Sequence, residues 1–349
     1  MKTDIKKLEH SEVEITVTVP AEDFMLTWNP AIKKLGETTT IPGFRPGMAP
    51  NKILIDKIGE DKILLEMADQ TIRDTYAKII IDNKLDAIGA PSITLMKLAK
   101  DNPLEFKIIT AIMPTISLPD YKKIAKEISP SYPIETEVTT EEIDQVIKEI
   151  QTRQQASLGQ VSENKDEALP ELTDDYVKTL GKFESVTDFK NKITENIKAE
   201  KEHKSREKRR LAIIEKIGDE AKPDLPPVLI EHETEKMLDE MRHQIEQMGM
   251  KFNDYLNHLK KSETELKAAW QDDAKKRVVF GLIIHAISED KKLIPTTEEI
   301  DAQAEILKTQ FQDSEKIDIS RLRSYIKNVL TNQKVMDFLD PIESKPKKD

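Results

Sequence analysis

The sequence predicts an α+β N-terminal domain, an antiparallel sheet packed with helices, followed by an all-α remainder in an elongated multidomain chain. Three observations predict it. Val13, Ile15, Val17 and Val19 alternate with Glu14, Thr16 and Thr18, the period of a half-buried strand built from β-branched residues. Pro114, Pro119, Pro130 and Pro133 then crowd one stretch, which stiffens a chain and discourages helix. Beyond it, four helix starts pair a hydroxyl residue with an acid three positions later: Thr139 with Glu142, Ser185 with Asp188, Ser262 with Glu265, and Thr296 with Glu299. In such a box the hydroxyl satisfies an orphan amide, and the acid sits at the positive end of the helix dipole.

Taken in order, Pro20 opens a helical pattern in which Phe24, Trp28, Ile32 and Leu35 share a face. Pro30 lies inside it and is expected to kink or shorten the helix, because proline lacks the amide donor. A loop at 37–50 precedes a second long helix, marked by Leu64, Ala68, Ile72, Tyr76 and Ile80. The runs Ile93–Leu98 and Leu104–Ile112 flank Asp101-Asn102-Pro103 and read as a hairpin. These elements make residues 1–112 a first domain. Residues 113–137 read as an extended proline-rich linker, partly strand. Residues 138–349 read as helical, with a loop at 153–170. Within them Lys198–Arg210 is polar on every side, as in a helix that runs through solvent held by charge pairs.

Composition narrows the function classes. A chain of 349 residues exceeds one ordinary core. With 38% hydrophobic and 34% charged residues it is too polar for one compact globule and too apolar for disorder. The net charge of −11 argues against broad coating of nucleic acid. Cysteine is absent, which removes disulfides, thiolate chemistry and Cys-based zinc sites. The opening MKTDIKKLEHSEVEI has no apolar segment of the signal-peptide kind. The longest apolar run, Val278–Ile287, falls short of the roughly 20 residues that span a bilayer. A soluble protein of a reducing compartment is expected. The six histidines form no ligand spacing, no glycine-rich phosphate loop is present, and no serine has a nucleophile context. No enzymatic activity, metal or cofactor is expected.

Two features stand out. Ile41-Pro42-Gly43-Phe44-Arg45-Pro46-Gly47-Met48-Ala49-Pro50 lies between two helical patterns. Glycine admits positive φ and proline restricts the chain, so this loop is shaped. Two readings are open. It is a tight interhelical turn with Phe44 plugged into the core, or it presents Phe44 and Arg45 for docking, arginine being suited to fork onto phosphate or carboxylate. The second feature is Met237, Met241, Met248 and Met250, interleaved with Leu238 and Ile245. Methionine suits surfaces that accept many partners. The same spacing also describes an ordinary helix seam.

Gly43-Phe44-Arg45-Pro46-Gly47 with Pro50 resembles the GFRxGxxP signature of bacterial trigger factor. The resemblance extends through Gly89-Ala90-Pro91, Leu118-Pro119-Asp120-Tyr121, Leu169-Pro170-Glu171-Leu172, Asp224–Ile230 and Ala274–Val279. It implies a ribosome-binding domain at 1–112, whose loop (Gly43, Phe44, Arg45, Pro46, Gly47, Pro50) docks near the polypeptide exit. It implies a C-terminal chaperone domain with helical arms that holds clients, with Met237, Met241, Ile245, Met248 and Met250 as the candidate client surface. The implied partners are the ribosome, through exit-site protein and rRNA, and nascent or unfolded polypeptides, with no membrane, no nucleotide, and a homodimer allowed off the ribosome. The implied location is cytoplasmic. Two departures matter. The family's isomerase domain has only about 15 linker-like residues in its place, against the roughly 50 a domain needs, so prolyl isomerase activity is not expected. Pro46 and Met48 stand where the family often has lysine, which lowers the salt-sensitive part of ribosome affinity. The competing readings are a prolyl isomerase, a periplasmic chaperone, a nucleic-acid-binding protein, and a ribosome-independent holdase or assembly factor of the same fold. The last competes most closely.

Overall fold

The computed structural model describes residues 1–157, 170–310 and 318–340. They fall into two compact units, one of residues 1–117 with 222–281, the other of residues 118–221 with 282 onward. The sequence partition was into consecutive pieces; the compact units are discontinuous, because the chain returns to the first unit at Lys222.

In the first unit, β1 (Lys2–Lys7), β2 (Glu12–Val19), β3 (Ala87–Lys97) and β4 (Leu104–Ile112) form an antiparallel sheet in the order β1-β2-β4-β3. β2 alternates as the sequence requires, with Val13, Ile15, Val17 and Val19 buried. Ile15 pairs with Ile108 and Val17 with Phe106 across β4, and all four are fully buried. Helices α1 (Ala21–Met25), α2 (Trp28–Thr38), α3 (Asn51–Ile58) and α4 (Glu60–Asp82) supply Phe24, Ile32, Leu54, Ile63 and Met67 to the same core. Pro30 is the third residue of α2. The first four amides of a helix have no internal acceptor, so its missing N–H costs nothing there. The expected distortion appears instead as the break between α1 and α2. Three elements went beyond the sequence reading. β1 is a charged strand with Ile5 opposite Ile15, α3 is a separate short helix, and β3 begins at Ala87 rather than Ile93.

One expectation for the connecting region is corrected. The stretch 113–137 is not extended throughout: it holds α5 (Tyr121–Ile128) and a 3-10 turn at Ser129–Ser131. Pro119 precedes the N-cap Asp120, whose carboxylate accepts the Lys123 amide at 3.1 Å, and Pro130 follows the last turn. The prolines therefore bracket a helix rather than forbid one. The loop expected at 153–170 lies mostly outside the described residues, and its first residues continue α6 (Thr140–Ser157).

The remaining helices are α7 (Asp174–Leu180), α8 (Val186–Ala221), α9 (Pro227–Gln247), α10 (Phe252–Leu259), α11 (Glu263–Ala269), α12 (Gln271–Lys291), α13 (Thr297–Gln310) and α14 (Ile319–Leu339). Among the described residues no helix is long and apolar enough to cross a membrane. The boxes at Thr139, Ser262 and Thr296 form both reciprocal bonds. At Ser185 the hydroxyl accepts the Asp188 amide, but the Asp188 carboxylate takes the Glu184 amide instead. Lys201 donates to Glu142, and with the Thr139 amide it holds that carboxyl below the usual range.

The basic stretch in the middle of α8 does not run free through solvent. Asp340, just past α14 and 4% exposed, meets Arg209 at 2.6 Å, Arg206 at 3.5 Å and Arg210 at 3.6 Å. Arg210 also bonds Asp337 at 2.5 Å. The three guanidiniums are themselves largely buried. A polar face that sequence periodicity assigned to solvent is thus consumed in an ionic joint between α8 and α14. Removing one partner of a buried ion pair strands the other charges, at about 3–5 kcal/mol. Asp340→Ala is expected to lower unfolding stability by that order in denaturant titration, whereas Lys204→Ala, in an exposed i,i+4 pair with Glu200, is expected to change it by less than about 0.5 kcal/mol.

Candidate functional site

The loop between α2 and α3 is two turns of one design. Ile41-Pro42-Gly43-Phe44 closes with the Phe44 amide donating to the Ile41 carbonyl at 3.1 Å. Arg45-Pro46-Gly47-Met48 closes with Met48 donating to Arg45 at 3.0 Å. Each places proline second and glycine third, with φ of +89° at Gly43 and +78° at Gly47, the type II pattern. A side chain at either glycine would meet the left-handed penalty. The Gly47 amide also donates to the Gly36 carbonyl at 2.9 Å, tying the second turn to α2. Pro50 then caps α3, its carbonyl accepting from Ile53 and Leu54.

This geometry keeps Phe44 out of the core. Ile41, at 4% exposure, is the residue plugged into the core, while Phe44 is 39% exposed and Met48 75%. Arg45 is exposed and, among the described residues, makes no ion pair or hydrogen bond. The loop therefore offers an aromatic ring, an unpaired guanidinium and a thioether on a backbone already bent to shape. Such a surface binds with little further loss of chain entropy.

The methionine helix is divided. Ile245 and Leu238 are buried with Phe252 and Leu266, and Met241 packs on that cluster. Met237 is half-buried. Met248 is 67% exposed and Met250 43%, on either side of Gly249 beyond the end of α9. The seam reading holds for Ile245, and only Met248 and Met250 stand free at the surface. Met250 lines an open cleft of about 660 Å³ with Gly249, Lys251 and Asn253. One wall is Arg242, which lies 5.2 Å over the Phe252 ring and pairs with Asp239 and Glu263. The loop and this cleft are separate features of the first unit. Among the described residues no group of three or more His, Asp or Glu could hold a metal ion.

The chain resembles known proteins along nearly its whole length. Residues 1–150 match the family model described as bacterial trigger factor protein, and residues 185–340 match that of its C-terminus. A trigger factor of Carboxydothermus hydrogenoformans is 23% identical, covering 97% of this chain and 98% of its own. One of Halalkalibacterium halodurans is 22% identical, covering 96% and 97%. The first alignment runs over 426 positions, more than the 349 residues here, so that relative carries internal sequence without a counterpart. Residues 151–184 are all that lie between the two matched segments. In fold, the chain matches a solved trigger factor chaperone described for promiscuous substrate recognition in folding and assembly. That match has a TM-score of 0.58 at 15% identity, over 97% of this chain and 99% of that one.

The division within α9 has a measurable consequence. Ile245→Ala removes a core side chain and is expected to cost about 2–4 kcal/mol of stability. Met248→Ala is expected to change stability by less than about 0.5 kcal/mol. Equal losses in a urea titration would mean that both residues belong to the seam.

Proposed function

The chain belongs to the bacterial trigger factor family, and from that premise we propose that it is an ATP-independent, ribosome-associated chaperone without prolyl isomerase activity. In this reading residues 1–112 anchor the ribosome, residues 113–137 connect, and residues 138–349 hold unfolded or nascent polypeptide. The work is cytoplasmic, where ribosomes and nascent chains are.

The observation that carries the proposal is the loop: Phe44 and Arg45 exposed, unpaired and held by two proline–glycine turns. A guanidinium is suited to rRNA phosphate or to an acidic side chain of an exit-site protein, and Phe44 adds apolar area that is buried on docking. Gly43, Pro46, Gly47 and Pro50 shape the backbone. Met248 and Met250 are the members of the methionine group free to meet a client, with Met237 and Met241 at its margin and Ile245 supporting from the core. A client is held by burial of its apolar surface, at roughly 25 cal/mol per Å², offset by the ordering of both partners. Many weak contacts let it leave and fold without nucleotide.

The absence of a domain-sized segment between the two matched regions supports the reading of a chaperone without isomerase chemistry. A second reading, a ribosome-independent holdase, is favoured by Pro46 and Met48, which leave Arg45 as the sole cation from Ile41 to Pro50. Co-sedimentation with vacant ribosomes separates the two. The wild type is expected to pellet with ribosomes and to be released by salt, as phosphate contacts are. Phe44→Ala with Arg45→Ala is expected to weaken binding more than about tenfold, about 1.4 kcal/mol, with unchanged helical circular dichroism. A wild type that stays in the supernatant at low salt favours the free holdase. In a proline-limited refolding assay, the slow phase, tens to hundreds of seconds, is expected to keep its rate at sub-stoichiometric protein. Acceleration would restore the isomerase reading.

A further inference from the structure

The two edges of the sheet are treated differently. β1 carries Lys2, Asp4, Lys6 and Lys7 along one edge. Charges of this kind keep an edge strand from pairing with other chains. β3, at the opposite edge, carries no charge from Ala87 to Met96. Its first half meets α9, where a side-chain carbon at Gly89 would lie 2.7 Å from Val228. Its second half, Ser92 through Met96, is exposed throughout.

The side chains there belong to the core face. Ile93 pairs with Ile108 and Leu95 with Phe106, both fully buried beneath the helices. Yet Ile93 is 46% exposed and Leu95 39%. The helical layer stops short of β3, leaving an apolar shelf beside a row of outward backbone donors and acceptors. Met96, 57% exposed, is the extra residue where the pairing shifts between Leu95 and Lys97. A bulge of this kind disrupts the ladder locally and bends the strand.

We propose that the free edge of β3 at Ser92–Met96 is a strand-addition site for extended, uncharged segments of unfolded polypeptide. The inference rests on the reading of the chain as a chaperone and adds a client site with its own mode of recognition. Main-chain bonds to the edge give sequence tolerance, and alternate apolar side chains laid over Ile93 and Leu95 give selection. The missing charge sets the chemistry of the occupant, since a charged residue on the shelf would be desolvated without a partner. Size argues for a flexible segment over a second copy. Ser92–Met96 offers 5 residues, whereas stable interfaces use roughly 20–30 a side.

The test is fluorescence anisotropy of a labelled peptide alternating isoleucine and threonine between terminal lysines, with the full-length protein. A copy N-methylated at every internal residue keeps the side chains and loses the donors. Saturable binding of the first peptide is expected, at least tenfold weaker to Ile93→Lys and to Leu95→Lys, and absent for the N-methylated copy. Both variants change exposed side chains and are expected to keep wild-type circular dichroism and ribosome co-sedimentation, so loss of this site is distinguishable from failure of the ribosome reading. No binding by the wild type overturns the proposal, as does equal binding of the methylated peptide or of both variants. A concentration-dependent dimer abolished by Leu95→Lys would also overturn it, making a second copy the occupant.

Discussion

The N-terminal part of this protein depends on one constraint: one face of its sheet is sealed beneath four helices. Helices α1 to α4 close over Ile15, Val17, Phe106 and Ile108, while the other face carries charge, with Lys107 paired to Glu14. From this follow the strict alternation of β2, the close spacing of α2 and α3, and the need for a compact loop between them. The loop's shape follows from where its ends must lie. Proline and glycine at 42–43 and 46–47 supply the two sharp bends, and burial of Ile41 fixes the entry. With that anchor spent on Ile41, Phe44 is left outside.

The helical part obeys a different economy. It buries Ile147, Val177, Phe189 and Ile193 in one apolar cluster and Ile213, Ile214, Ile217, Ile283, Ile287 and Val335 besides, and it adds many polar ties. Capping boxes satisfy the first amides of α6, α11 and α13. Lys334 holds Glu299 at 2.7 Å, and with the Thr296 amide keeps its carboxyl below the usual range. The Tyr121 hydroxyl donates to Asp290 at 2.6 Å, linking α5 to α12. The arginines of α8 close on Asp340. A chain with so many charges is held together by placing them against one another, where an unpaired partner would be costly.

That economy suits the proposed work. Some of the exposed apolar surface comes in small pieces: Phe44 and Met48 on the loop, Met248 and Met250 beyond α9, Ile93 and Leu95 on the sheet margin. Small separate patches give contacts weak enough to release a client. The loop differs in kind, because its backbone is fixed before it meets a partner, so binding there loses less to ordering.

The sequence by itself determined the class of each half, the alternation of β2, the face of α4, the β3–β4 hairpin, the helix starts at Thr139, Ser262 and Thr296, and the bends of the loop. Each of these is written in residues near one another, through period, capping or turn chemistry. Tertiary structure alone decided the rest. β1 is a strand because β2 has a free edge, and its charged residues carry no strand period of their own. The prolines of 113–137 could have marked an extended chain or the ends of a helix, and packing of α5 against α8 chose the helix. The spacing of Met237 to Met250 fits a seam and a surface equally, and only the position of Phe252 and Leu266 buries Ile245 while leaving Met248 out. The fate of Arg206, Arg209 and Arg210 was set by Asp340, more than a hundred residues away. Local pattern tells which residues could face one another; which of them do depends on contacts that no window of sequence contains.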